Sequence, residues 1–378
     1  MKNVVIAGYK RSPFTFATKG ALARVRPDEI TAQVVRGLLD ATGVEPKDIE
    51  DLIVGCAFPE GEQGLNVARI IAFLAELPLS VAGTTVNRFC GSSMTSIHIA
   101  AGAIQMGAGD AFICAGIESM SRVPMAGFNP APHPALYQRY PEAYVSMGIT
   151  AENLAKKYDI SRAAQEEVAV ESHARAAAAQ AAGKFADEIV AITDGNNRVD
   201  TDGCIRPGTT AADLAGLKPA FDQAGSVTAG TSSPLTDGAS AVLVCSEEYA
   251  DAHGMTKLAR IRSVAVAGCA PEIMGIGPVP ATEKALARAG VTVKDLDIVE
   301  LNEAFASQAL SVMQETGIVF DNTNIDGGAI ALGHPLGATG ARITGKAAAL
   351  LKRECKELAL ATQCIGGGQG IATVLEAC

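Results

Sequence analysis

The sequence predicts an α/β fold with helices on both faces of a sheet, built as two similar halves with a long insertion in the first. Three observations carry this. Apolar, β-branched runs alternate with stretches of helical spacing. Residues 43–58 reappear in altered form at 290–305. Between the two copies the texture changes to a proline- and tyrosine-containing reach followed by an alanine-rich one.

Taken in order, Val4-Val5-Ile6-Ala7 reads as a first strand. Residues 28–42 place Ile30, Val34, Val35, Leu38 and Leu39 at helical spacing, and Gly43 supplies a stop. Leu52-Ile53-Val54-Gly55 reads as a second buried strand and 66–77 as a second helix. Near-continuous apolar strands between helices indicate a sheet covered on both sides. Thr84-Thr85-Val86 then runs into a small-residue turn and a helix carrying Ser96, Ile97, Ala100, Ala101 and Ile104.

In the repeated segment Gly, Val, Lys, Asp, Ala and Phe fall at matching places, and both copies follow a helical stretch. A second echo, Cys114-Ala115-Gly116 against Cys364-Ile365-Gly366, appears in the same order. Two echoes favour a duplicated domain. Residues 119–235 hold Pro124, Pro130, Pro132, Pro134 and Pro141 with Tyr137, Tyr140 and Tyr144, and then an alanine-rich helix at about 163–182. The expected division is an amino-terminal half at 1–118 completed by about 236–257, an inserted loop domain at 119–235 whose Pro/Tyr part serves as lid or lining, and a carboxy-terminal half at 258–378.

Composition narrows the function. The 378 residues carry 31 Lys+Arg against 41 Asp+Glu, a formal charge of −10, and 48% are hydrophobic. That is ample material for a core and a poor long-range field for nucleic acid. No apolar stretch reaches the roughly 18 residues of a membrane span, and Val4–Gly8 looks like a strand rather than a signal peptide. Nine Cys, none spaced C-x-x-C, argue against a zinc or redox-pair motif and for reduced thiols in a cytoplasmic setting.

Four segments bear chemistry. Cys90 lies where a strand turns into a helix, a place where free N–H groups lower a thiol's pKa. His334 lies among crowded glycines in 324–342 that lead into a helix at 341–351, and its pKa suits general-base work. Gly340–Ala347 only approximates a phosphate loop, lacking the Ser/Thr that would hold magnesium. Cys364 enters a glycine turn whose N–H groups suit an anion. Asn302, before Glu303-Ala304-Phe305, is either a helix N-cap or a polar group lining a site.

Val86-Asn87-Arg88-Phe89-Cys90-Gly91-Ser92, Asn302-Glu303-Ala304-Phe305, Gly333-His334-Pro335-Leu336-Gly337-Ala338-Thr339-Gly340 and Cys364-Ile365-Gly366-Gly367-Gly368 together closely resemble the thiolase family, end to end and in family order. The resemblance implies a five-layer αβαβα fold with two duplicated halves and an inserted loop domain. It also implies a homodimer or homotetramer, with association with other β-oxidation enzymes left open. It implies no cofactor and no metal; acyl-CoA and coenzyme A (CoA) are the substrates. Cys90 would be the acylated nucleophile, His334 its base, and Cys364 the proton donor or acceptor at the α-carbon. His334 with a water on Asn302 would form one oxyanion hole, and the N–H groups of Cys90 and Gly366 the other. Arg206 would meet the nucleotide end of CoA. Ser233, Ala229 and Gly230 would line the pantetheine channel, with Phe221, Met147, Ala304 and Phe305 along it. Ser93 stands where many family members carry Gly, a pattern of some fatty-acid-degrading forms, and Ser146 where synthetic short-chain forms often carry His. Both favour degradative cleavage of 3-oxoacyl-CoA over condensation of two acetyl-CoA. A non-catalytic acyl-CoA-binding relative and a decarboxylating ketoacyl synthase are the remaining alternatives; the latter lacks a second Cys in a glycine turn.

Overall fold

The computed structural model describes residues 2–378. The chain opens with β1 (Val4–Arg11), a short β2 (Thr15–Phe16), α1 (Pro27–Thr42), β3 (Asp51–Cys56), α2 (Val67–Leu74), β4 (Ala82–Val86), α3 (Ser92–Gln105) and β5 (Ala111–Ser119). An excursion follows: α4 (Pro134–Arg139), α5 (Met147–Lys157), α6 (Arg162–Ala181), a hairpin of β6 (Ile192–Asp194) and β7 (Asn197–Val199), and α7 (Ala211–Ala215). The chain returns as β8 (Thr236–Ser246), antiparallel to β5 from Ser119↔Asp237 to Ala111↔Cys245, and α8 (Glu247–Ala252). Then come β9 (Ala259–Gly268), α9 (Pro278–Ala289), β10 (Ile298–Leu301), α10 (Ala306–Thr316), α11 (Ala329–Leu332), α12 (Leu336–Arg353), β11 (Leu358–Ile365) and β12 (Gln369–Glu376).

Strands run in the order β10-β11-β12-β9-β1-β8-β5-β3-β4, with β2 attached to β8. Alternation along each strand sorts side chains into layers. Val5, Leu52, Val54 and Leu243 pack outward under α1 and α2. Val4, Ile6, Ile53 and Val244 point inward onto α3 and α12, which on their other side meet Ile298, Ala359, Ala361 and Ile371. Val299, Leu301, Leu360 and Val374 face away under α9 and α10. The result is five layers, αβαβα, with α3 and α12 in the middle.

The duplication holds element by element. Gly43 (φ 65°) ends α1 and Gly290 (φ 68°) ends α9, each in the left-handed region that glycine adopts without strain. A 3₁₀ turn follows at Pro46–Asp48 in one copy and at Val293–Asp295 in the other, and then β3 or β10. The second echo is out of register. Val54 pairs with Ala115 and its counterpart Leu301 with Thr362, so the counterpart of Cys114 is Ala361 and not Cys364. Cys114 is a core residue in mid-strand, whereas Cys364 sits near a strand end.

Helix α12 also begins earlier than glycine content suggests. Its first turn is Leu336-Gly337-Ala338, inside the glycine-rich motif. These glycines serve close packing: a Cβ on Gly337 would stand 2.8 Å from the Gly55 carbonyl, and one on Gly340 would press on Met94 of α3. Every residue from Leu336 to Ala348 is buried. In the excursion, α6 is capped by Ser161, whose Oγ accepts from Ala164 N–H. The Pro/Tyr reach forms the exposed helix α4 and a following turn, tied back where Tyr140 Oη donates to Glu272 Oε2 (3.4 Å).

Candidate active site

Cys90 lies two residues before the first residue of α3, after Phe89, whose φ of 43° bends the chain sharply. Cys90 is 8% exposed and packs against Ala57, Met120 and Leu336. The helix-start position leads one to expect a lowered thiol pKa; the structure reverses this. Burial pushes the Cys90 thiol up to about 12, and Glu118 nearby adds to the rise. The N–H groups of Gly366 and of Cys90 itself, both directed at the sulfur, offset only part of it. Gln363 Nε2 donates to the Cys90 carbonyl, fixing the Cys90 loop to β11 of the other half.

His334 lies two residues before the first residue of α12. Its Nδ1 meets Thr339 Oγ1 at 2.6 Å, and that hydroxyl donates to the Pro335 carbonyl at 3.0 Å, so Nδ1 carries the proton. Nε2 is left with its lone pair, facing Asn302 Nδ2 at 3.4 Å. Burial, aided by the Arg342 charge, holds the imidazole pKa down to about 3. Leu336, in the turn after His334, belongs to the same apolar cluster as Cys90.

Asn302 is fully buried and is not a helix cap, because α10 begins at Ala306 with Phe305 before it. Its backbone N–H donates to the Thr362 carbonyl (3.0 Å), and its Oδ1 has no partner among the described residues. Cys364 is 1% exposed; burial raises its thiol well above the ordinary range, and the proximity of Cys90 raises it further. Two thiols, two inward N–H groups, a neutral imidazole and an amide thus converge where the two halves meet.

The model of the thiolase N-terminal domain matches residues 4–248 and that of the thiolase C-terminal domain matches 255–377. The chain belongs to the thiolase family. It is 48% identical to the 3-ketoacyl-CoA thiolase of Bacillus subtilis and 50% identical to that of Shewanella frigidimarina, each alignment covering all of both chains. A crystal structure of human mitochondrial 3-ketoacyl-CoA thiolase in complex with CoA superposes with a TM-score of 0.92 at 37% identity, covering 100% of this chain and 98% of that one.

In this thiolase-family chain the residues expected along the substrate channel form a second cluster. Met147, Ala304 and Phe305 pack with Cys364, Val227 and Met274. Phe221 meets Phe305 edge-on at 5.8 Å between ring centres. Ser233 donates to the Ala304 carbonyl from both its N–H (3.0 Å) and its Oγ (3.1 Å). Ala229 and Gly230 open a 3₁₀ turn capped by Thr228. Arg206 stands apart from this set: it is exposed, its backbone N–H donates to His173 Nδ1 (3.2 Å), and its guanidinium makes no ion pair among the described residues. No helix is long and apolar enough to cross a membrane, and no group of three or more His, Cys, Asp or Glu is placed to hold a metal, among the described residues.

Three contributors carried a weak signal in the sequence or none. Thr339 sits inside the motif around His334, yet only the fold shows its hydroxyl on Nδ1. Gln363 adjoins Cys364 and points to the opposite side of β11. Glu118 is the one charged residue in the otherwise apolar or small run Ala111–Ser119, and a lone carboxylate in such a strand is a readable sign of a polar role.

Proposed function

We propose that the protein is a 3-ketoacyl-CoA thiolase, cleaving 3-oxoacyl-CoA with CoA to acyl-CoA and acetyl-CoA through an acyl-cysteine. The observation that carries this reading is the His334 Nε2 lone pair, held by Thr339 and facing Asn302. The Cys90 thiol gives its proton to Nε2 as sulfur attacks the keto carbon. The N–H groups of Cys90 and Gly366 meet the charge developing on that oxygen. Collapse breaks the Cα–Cβ bond, and the departing enolate is stabilised by His334 with a water bound to Asn302. Cys364 delivers a proton to the α-carbon, releasing acetyl-CoA. The imidazolium passes its proton to the Cys364 thiolate. His334 then takes the proton of the CoA thiol, which attacks the thioester, and returns it to the Cys90 sulfur as the acyl group leaves on CoA. Splitting the exchange at a thioester predicts ping-pong kinetics.

In this reading Met147, Phe221, Ala304, Phe305, Ala229, Gly230 and Ser233 line the pantetheine and acyl channel, and Arg206, with a free guanidinium, meets the nucleotide phosphates. The chain between β5 and β8 acts as the loop domain that carries this channel. The partner is a second copy of the chain, paired along β4: that strand ends the sheet, and Leu65 and Leu79, on either side of the helix before it, are 91% and 79% exposed.

Thiolysis of a series of 3-oxoacyl-CoA chain lengths tests the reading. Turnover is expected to fall by about 10⁴-fold or more in Cys90→Ala. Full activity in that folded variant would refute the assignment.

A further inference from the structure

Cys90 lies in an apolar cluster drawn from both halves of the molecule. Ala57 and Phe58, just beyond β3, belong to one half, and Leu336, in the first turn of α12, to the other. A single carboxylate joins them. Glu118, 1% exposed near the end of β5, accepts at Oε2 from the Ala57 N–H and from the Gly337 N–H, both at 2.9 Å. Its Oε1 accepts from Gln63 Nε2 at 2.8 Å. Gln63 in turn donates to the Phe58 carbonyl at 2.9 Å and accepts from the Ser119 N–H at 2.6 Å.

Burying a carboxylate costs several kcal/mol unless it is hydrogen-bonded, and this one is bonded at both oxygens. The Gly337 N–H belongs to the first turn of α12, where free amides favour negative charge. The fold itself does not demand a carboxylate here. By the register of the two halves, the counterpart of Glu118 in β11 is Ile365, an apolar residue at the same kind of buried strand end.

We propose that Glu118, with Gln63, is a positioning residue that fixes the His334 loop and α12 against the Cys90 pocket, setting the distance between nucleophile and base without touching substrate. The inference rests on the assignment of Cys90 and His334 above. Displacing two reacting groups by about 1 Å costs on the order of 10²-fold in rate. Binding of CoA depends on other residues and is left alone.

The test is steady-state thiolysis of acetoacetyl-CoA by Glu118→Ala, Glu118→Gln and Glu118→Asp, with Cys90→Ala alongside and thermal melting as the check on folding. Glu118→Ala is expected to lower kcat by about 10²-fold with KM for CoA changed by less than about threefold. Glu118→Gln keeps one oxygen for both backbone amides and is expected to lose less than about tenfold, a rescue that a charge-based role would not show. Glu118→Asp keeps the charge but shortens the reach, so it is expected to fall between Gln and Ala; it decides the matter if the Ala variant does not fold. A folded Ala or Asp variant with unchanged kcat overturns the proposal, as does a rise in KM equal to the fall in kcat. Turnover persisting in Cys90→Ala would overturn the nucleophile assignment and this inference together, whereas turnover abolished there but intact in Glu118→Ala would overturn the positioning role alone.

Discussion

Cys90 stands two residues before α3, and His334 stands two residues before α12. The two helices lie side by side in the central layer, and the Ala341 N–H of one donates to Ser93 Oγ of the other at 2.8 Å. Duplication therefore supplied two equivalent positions beside two helix N-termini, and the halves filled them with a thiol and an imidazole. The strand ends diverged as well. Gly55 of β3 corresponds to Asn302 after β10, and Glu118 of β5 to Ile365 of β11, next to Gly366. In the proposed mechanism the amino-terminal half carries the covalent step and the carboxy-terminal half the proton chemistry.

The sharpest way to break this division is at His334. Replacing it with Ala removes the base and one oxyanion donor together, while its backbone bond to Thr236 Oγ1 (3.0 Å) remains. Turnover is expected to fall by about 10³- to 10⁴-fold, with Cys90 still alkylated by iodoacetamide. A loss below about tenfold would place the base elsewhere. Next in size is a test of what holds the inserted excursion to the two halves. Arg11 of β1 binds Asp202 through two 2.7 Å bonds and Glu188 at 2.8 Å, and Lys346 of α12 binds Glu188 at 2.9 Å. Asp202→Ala leaves a buried guanidinium short of its main partner, at a cost of about 3–5 kcal/mol in denaturant unfolding. A cost under about 1 kcal/mol would show that apolar contacts hold the excursion. Asn302→Ala is expected to lower kcat by about 10²- to 10³-fold as one oxyanion donor is lost; retention of full kcat would remove Asn302 from the mechanism.

The layered fold and the duplication were legible because both rest on local rules: strand runs buried on both faces, and helices ended by Gly43 and Gly290. The family motifs marked the residues to which the proposed mechanism assigns the chemistry. Two local rules misled. Glycine content hid the first turn of α12, because Gly337 and Gly340 are there for contact with β3 and α3, which no window of sequence displays. The repeated Cys-x-Gly looked like an echo, yet strand register makes Ala361 the mate of Cys114. Glu118 escaped attention for a related reason: its three partners lie 61, 219 and 55 residues away.

The smallest effect concerns charge rather than position. A helix start favours a thiolate at Cys90, but the sulfur is out of water, so burial dominates and lifts its pKa to about 12. The His334 pKa is held at about 3 by the same cause. Both shifts oppose ion-pair formation, since the thiol resists losing its proton and the imidazole resists gaining it. The resting pair is therefore neutral, and proton transfer accompanies attack. The free thiolate grows about tenfold per pH unit at every pH below the thiol pKa. The rate at which iodoacetamide abolishes activity should accordingly climb by about tenfold per unit across the neutral and mildly alkaline range without levelling off. Activity must be the readout, because Cys355 and Cys378 are exposed and will also be labelled. A plateau near neutral pH would mean that the halves meet in a preformed thiolate–imidazolium pair, and helix position would then outweigh burial.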